Sequence, residues 1–308
     1  MADQTQRCLI VGASGYLGSR LLAKLGDAAV PTYRRQPVAG GVLFDSQTMR
    51  LADAVNLDGL THAILLLGES SIATCALEPE RTDQINIASI EAILTDLRLK
   101  NIKPVFMSSD AVFEGRTGDY TETSLPSPTM RYGVQKLEVE RIIQASFDDY
   151  LIFRASKVYD SDPNSIGLLA RWLDDIRQAR PIKCATDHKF CPVNQENLID
   201  AMAAAITKGF SGIYHAAGPE PVTYWTLFHT FLDAMGIPAA STDVQPALIN
   251  DFAVGGEQRP IDNSMTSDRL YTTLGIDRDH PVDVCRKFHI QAAASMPASI
   301  GGAAGAGA

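Results

Sequence analysis

The chain has 308 residues, a net charge of −9, and 45% hydrophobic and 20% charged residues, an ordinary balance for a globular protein. That length suits one large α/β domain or two smaller units, and the acidic excess argues against nucleic acid or an anionic membrane as a bulk partner. The longest strongly apolar run, Ala63-Ile-Leu-Leu-Leu67, is too short to span a bilayer, and the N-terminus shows no signal-peptide core, so the expected location is cytoplasmic. Cys8, Cys75, Cys184, Cys191 and Cys285 are scattered and odd in number, which predicts buried thiols rather than disulfides. Cys184 and Cys191 lack the second ligand pair a zinc site needs, so no metal is expected.

In chain order, the apolar run Arg7-Cys-Leu-Ile-Val11 enters Gly12-Ala-Ser-Gly-Tyr-Leu-Gly18, and residues 19–25 continue at helical spacing. Strand, glycine turn and helix in that order are the context of a dinucleotide-binding fingerprint. Gly12 permits the turn, Gly15 lets a pyrophosphate approach the backbone, and Gly18 lets helix and strand pack closely. Ser14, Tyr16 and Leu17 lie in the same turn. Ala29-Val-Pro-Thr-Tyr33 reads as a second strand ending at Arg34 and Arg35. An acidic residue there would favour the ribose hydroxyl of NAD(H); a guanidinium pair suits a 2′-phosphate and favours NADP(H). Asp45 closes a third strand, Gly41-Val-Leu-Phe-Asp45, where either the adenine edge or a turn would use it.

His62-Ala-Ile-Leu-Leu-Leu-Gly68 is a fourth strand, residues 84–99 a helix, and Pro104-Val-Phe-Met-Ser-Ser109 a fifth strand. Ser127 and Pro128 predict the N-cap and first position of the next helix. On that helix Tyr132-Gly-Val-Gln-Lys136 puts a phenol and an ammonium on one face. The ammonium is expected to lower the phenol's pKa toward working pH, with Ser109 holding the oxygen that exchanges the proton. A tyrosine–lysine pair alone arises by chance in about one chain in four of this composition, so its place after Ser109 carries the weight.

Leu151-Ile-Phe-Arg154 is a sixth strand. The alternation predicts an α/β, Rossmann-type doubly wound parallel sheet. Residues 1–160 form mainly the dinucleotide domain. Residues 161–292, with helices over 165–179, 194–208 and 223–236 and a short strand at 212–215, form a smaller substrate lobe. Residues 293–308 are expected to be a disordered tail. Ligands in such a sheet bind outside the carboxyl ends of the strands, which brings the glycine turn, Ser109 and the Tyr132 helix to one crevice.

The ordered set resembles the extended short-chain dehydrogenase/reductases, and within them the dTDP-4-dehydrorhamnose reductase family. Ser108-Ser-Asp-Ala-Val-Phe-Glu-Gly115 is similar to that family's Ser-Thr-Asp-Tyr-Val-Phe-Asp-Gly, and Tyr120, Glu122, Pro128, Tyr132, Gly133 and Lys136 follow at its spacings. Ile152-Phe-Arg-Ala-Ser-Lys-Val-Tyr159, Asp187-His-Lys-Phe-Cys-Pro192, Gly212-Ile-Tyr-His-Ala-Ala-Gly218 and Arg259-Pro260 extend the likeness over roughly residues 7–276. The resemblance implies Ser109, Tyr132 and Lys136 as catalytic residues. It places Leu66, Leu67, Gly68 and Ser108 at the cofactor, and Asp110, Lys157, His188 and Arg259 at the substrate. The implied reaction is reduction of a keto group on a nucleotide-activated sugar.

The sequence departs from the family in the loops facing the sugar. Leu66-Leu67-Gly68 replaces Asn-Ala-Ala, Glu69-Ser-Ser-Ile-Ala-Thr-Cys75 replaces the next segment, Ala111 replaces a tyrosine and Lys157 a tryptophan. A sugar-nucleotide epimerase or dehydratase therefore stays open. So does an NADP-binding regulatory subunit, since methionine adenosyltransferase beta subunits are similar over the same segments. A small-molecule substrate is the expected partner, with a homodimer open.

Overall fold

A computed structural model describes residues 6–294, so the expected tail over 293–308 lies almost entirely outside the described residues. The central element is a sheet of β1 (Cys8–Val11), β2 (Ala29–Tyr33), β3 (Val42–Leu43), β4 (His62–Leu65), β5 (Lys103–Ser109), β6 (Leu151–Ala155) and β7 (Gly212–Ala216). All seven run parallel in the order β7-β6-β5-β4-β1-β2-β3. The order reverses between β1 and β4, which opens a crevice at the carboxyl ends of those strands.

Strand residues alternate between two cores because successive side chains point to opposite faces. Cys8 and Ile10 of β1, Ile64 of β4, and Leu151 and Phe153 of β6 pack on one face against Leu21 of α1 (Gly18–Leu25). Leu9 and Val11, Leu65, Phe106 and Ile152 pack on the other against Ile90, Ile93 and Leu97 of α2 (Ser89–Leu99) and Val139 and Ile143 of α3 (Arg131–Ser146). Both faces are covered, so each strand reads as a continuous apolar run.

Four expectations change. The strand expected at 212–215 does not belong to the smaller lobe: as β7 it pairs with β6 from Gly212↔Leu151 to Ala216↔Ala155. The helix preceding it, expected over 194–208, packs Leu198, Met202 and Ile206 beneath the same sheet, so the chain returns to the large domain after entering the lobe. The third strand shortens to Val42–Leu43, because Asp45 turns the chain: its carboxylate accepts from the Gln47 amide at 3.1 Å and its carbonyl from Thr48 and Met49. Finally, α3 starts at Arg131, three residues after Pro128. The Ser127 amide is drawn to the Val112 carbonyl at 2.9 Å, holding 127–130 extended, and the Glu257 carboxylate accepts from the Arg131 amide at 2.6 Å.

The smaller lobe has its own core. Leu169 and Trp172 of α4 (Leu168–Arg177), Leu227, Phe228 and Phe231 of α6 (Tyr224–Met235), and Val284 and Phe288 of α7 (Pro281–Ala294) pack together, with α5 (Gln195–Thr207) left to the sheet. All five cysteines are buried and free, as the sequence predicts. Among the described residues no helix is long and apolar enough to cross a membrane.

Candidate active site

The glycine turn is built by close backbone contact. Gly12 has φ +94°, and a Cβ there would meet the Leu66 carbonyl oxygen at 2.6 Å. A Cβ on Gly18 would lie 2.2 Å from the Gly12 oxygen, so α1 can start against β1 only with glycine at both positions. The start of α1 has no side-chain cap and no acidic residue in its first turn, while Gly15, Tyr16, Leu17 and Gly18 face a cavity of about 670 Å³. Open amides at a helix N-terminus suit a diphosphate.

The same cavity is lined by Leu66, Leu67 and Gly68 after β4, by Ser108, Ser109 and Asp110 at the end of β5, and by Tyr132 and Lys136 on α3. Lys157 after β6, His188 and Arg259 line it as well, whereas Gly12 lies behind the turn and does not. A second close approach positions the tyrosine: a Cβ on Gly133 would lie 2.0 Å from the Ala111 carbonyl oxygen, so α3 lies directly on the turn Asp110–Val112. Its neighbour Tyr132 is thereby held beside Ser109 and Asp110.

The chemistry of this corner is set by burial. The Tyr132 phenol is raised well above its ordinary pKa, chiefly by desolvation and then by the Asp110 and Cys75 charges, while the Ser109 hydroxyl pulls it down. The expected lowering by Lys136 is therefore not found. The Lys136 Nζ donates to the Met107 carbonyl at 2.9 Å and sits 4.8 Å from the Phe106 ring centroid, and burial pushes it down to about 8. Asp110 is half-buried, and desolvation pushes its carboxyl up to about 6 even though Ser109 Oγ donates to it at 2.9 Å and Ser156 Oγ at 3.1 Å.

Other predicted residues stand apart. Ser108 reaches the cavity wall, but its hydroxyl donates to Glu140 at 2.5 Å, within a buried cluster that Arg154 joins at 2.7 Å. The Tyr16 hydroxyl donates to Asp160, tying the glycine turn to the lobe. Ser14, Arg34, Arg35 and Asp45 do not line the cavity. Both arginines are exposed at the end of β2, with Arg34 donating to Gln47 at 3.2 Å, and Asp45 serves the turn already described.

The structure adds residues that the sequence reading missed. Tyr224 packs its ring 4.5 Å from Phe190 and 5.9 Å from His188, and burial pushes its phenol up to about 12. His188 Nδ1 donates to the Pro260 carbonyl at 2.7 Å, and burial lowers the imidazole. Arg171 on α4 and Asn263 also face the cavity, and Asn263 Oδ1 is buried without a hydrogen-bond partner. Tyr224, Arg171 and Asn263 come from separate segments of the lobe, and no local spacing in the sequence marks them, whereas His188 was expected. Glu69, Ser70 and Ile72, from the segment that departs from the family pattern, line the cavity as well.

A doubly wound parallel sheet with a glycine turn at its reversal point and a Ser–Tyr–Lys set at the next strand end defines the extended short-chain dehydrogenase/reductase class. The chain belongs to the family described as the RmlD substrate binding domain, whose model matches residues 6–283. It is 28% identical over 226 residues to dTDP-4-dehydrorhamnose reductase of Salmonella typhimurium, covering 70% of this chain and 74% of that protein. It is also 23% identical over 293 residues to mouse (Mus musculus) methionine adenosyltransferase 2 subunit beta, covering 90% of this chain and 85% of that subunit. Among solved structures, dTDP-4-dehydrorhamnose reductase from Bacillus anthracis in complex with NADP superposes with a TM-score of 0.76 at 19% identity, over 93% of this chain and 99% of that one.

Proposed function

We propose that the protein is an NADP(H)-dependent reductase of a keto group on a nucleotide-activated sugar or a similar substrate. The observation that carries this reading is the convergence of Ser109, Tyr132 and Lys136 with the glycine turn on one cavity. Gly12, Gly15 and Gly18, with the uncapped start of α1, would hold the cofactor's diphosphate, and Arg34 and Arg35 would meet a 2′-phosphate. The likeness to a neighbour solved with NADP supports the same choice, with NAD(H) the alternative cofactor.

The bound nicotinamide supplies hydride chemistry at the substrate carbon. The residues of the chain do the rest. The Ser109 hydroxyl, which donates to Asp110 at 2.9 Å, would turn that proton to the carbonyl oxygen and orient it. Burial keeps the Tyr132 phenol protonated, so a proton is available at neutral pH for the oxygen as it gains charge. Lys136 remains largely protonated below about pH 8 and offsets the negative charge left on the phenolate. Lys157, His188 and Arg259 line the substrate side.

The test is NADPH oxidation by the full chain against a panel of 4-keto sugar nucleotides, with Tyr132→Phe beside it. Equal turnover by the two proteins would sink the mechanism. A non-catalytic, cofactor-binding subunit is the second reading, supported by the 293-residue likeness to the mouse subunit. It predicts NADPH binding with no turnover on any panel member. Epimerase or dehydratase chemistry on the same scaffold predicts conversion without net NADPH consumption.

A further inference from the structure

The charges on the cavity wall are unbalanced near the substrate end. Lys157 and Arg171 both line it, close enough for the guanidinium to act on the ammonium, and neither makes an ion pair among the described residues. The nearby acids are already engaged. Asp160 accepts from Tyr16 and from Ser165 Oγ at 2.9 Å, and Asp162 is paired with Arg20 at 2.6 Å. Asp110 attracts Lys157, but its two oxygens take the hydroxyls of Ser109 and Ser156 at 2.9 and 3.1 Å. Glu69, on the same wall, accepts the Ser71 amide at 2.8 Å. Lys157 is half-buried and Arg171 exposed on the same cavity wall, so with the local carboxylates otherwise engaged it is chiefly Lys157 that leaves an opening for an anion from outside the chain, and Arg171 that can join it there.

The position narrows the anion. Lys157 directly follows Ser156, whose hydroxyl shares Asp110 with Ser109. Asp110, the partner of Ser109, also attracts Lys157, so an anion at Lys157 would lie on the side of the cavity where the reacting carbonyl is placed. Arg259 lines the same cavity and is attracted to Glu257 and the Tyr224 phenol, so it has acidic groups of its own and is not the cation left over. We propose that Lys157 and Arg171 receive a carboxylate carried by the substrate close to its reacting carbon, which makes the substrate an acidic keto sugar or a comparable keto acid. The proposal rests on the reductase reading above and adds the substrate class. Lys157 and Arg171 are specificity residues in it: they bind the acid group and take no part in proton transfer.

The probes are a matched pair, UDP-glucuronate and UDP-glucose, which differ by a carboxylate in place of a hydroxymethyl group. UDP alone, free glucuronate and free glucose complete the set. Binding is measured on the full chain, with and without NADPH, by calorimetry for the nucleotides and by saturation-transfer NMR for the free sugars. The expected result is that UDP-glucuronate binds roughly tenfold or more tighter than UDP-glucose, in line with one charge-assisted contact. Lys157→Met should bring the ratio near one and Lys157→Arg should keep it. Arg171→Leu, at an exposed position, gives a second variant whose folding is not at stake.

A ratio near one in the unaltered chain overturns the proposal. So does an equal loss of UDP and UDP-glucuronate binding in the variants, because the pair would then serve the diphosphate. If no UDP compound binds but glucuronate is still preferred to glucose in a Lys157-dependent way, the carboxylate site stands and the sugar-nucleotide reading fails. If neither free sugar is preferred and no UDP compound binds, both fail.

Discussion

The Lys136 ammonium lies 5.6 Å from the centroid of the Tyr132 ring and donates its hydrogen bond to the Met107 carbonyl at 2.9 Å, not to the phenol. The two groups share a helix face but are tuned separately by burial: the phenol is held protonated and the ammonium is weakened. Tyr132→Phe therefore removes the proposed proton donor without removing a hydrogen-bond partner of Lys136. The expected loss is roughly 10²–10⁴-fold in kcat with NADPH affinity retained, read from steady-state rates and a cofactor titration.

The weakened ammonium predicts a pH limit. Lys136 is charged below about pH 8 and loses its proton above it, so the rate of reduction should fall as pH rises through that value. The folded pKa is below the ordinary lysine value, so the unfolded chain binds more protons between the two and stability should rise with pH over that interval. A pH–rate profile and thermal melts in the same buffers check the two signs, and Lys136→Met should abolish both trends.

Asp110 predicts the opposite sign. Its folded carboxyl is raised to about 6, so ionising it above that pH costs stability that is not lost at lower pH. Asp110→Asn keeps an acceptor and donor for Ser109 and Ser156 while removing the charge. At neutral pH it should stabilise the fold by up to about 3 kcal/mol, the equivalent of a shift of roughly two units. The gain should vanish as pH falls through about 6 toward the ordinary carboxylate range. Denaturant melts across pH test this, and absence of any gain at neutral pH would show that the carboxylate is not strained by burial.

The exposed pair at the end of β2 predicts cofactor choice. Arg34→Ala with Arg35→Ala should weaken NADPH by roughly 10–100-fold and leave NADH nearly unchanged, since only the 2′-phosphate is lost as a partner. Equal effects on both cofactors would remove the assignment.

Beneath the site, Glu140 and Arg154 form an ion pair at 2.7 Å with side chains 0% and 3% exposed, and Ser108 also donates to the carboxylate. Glu140→Ala leaves a guanidinium buried without a counter-charge and should destabilise the protein by about 3–5 kcal/mol in denaturant unfolding. The Arg154→Met, Glu140→Leu double variant, which removes both charges, should recover much of that loss.

Local pattern was enough to read the strand–glycine turn–helix start, the alternation that builds a parallel sheet, and the four-residue step from Tyr132 to Lys136, because each depends on neighbours in the chain. The start of α3 was misread because a distant carboxylate, Glu257, and the Val112 carbonyl hold residues 127–131, outweighing the Ser-Pro signal. Strand 212–216 looked like part of the lobe because sheet membership depends on which edge it meets, here β6. Arg171, Tyr224 and Asn263 had no signal at all, since they reach the cavity only when the lobe folds over the sheet. The sequence by itself determined the sheet class and which residue types stand together in the chain, through short-range spacing. The tertiary structure decided the electrostatics, because burial, which no spacing encodes, raises Tyr132 and Asp110 and lowers Lys136, and the fold brings Lys157 and Arg171 to one cavity wall.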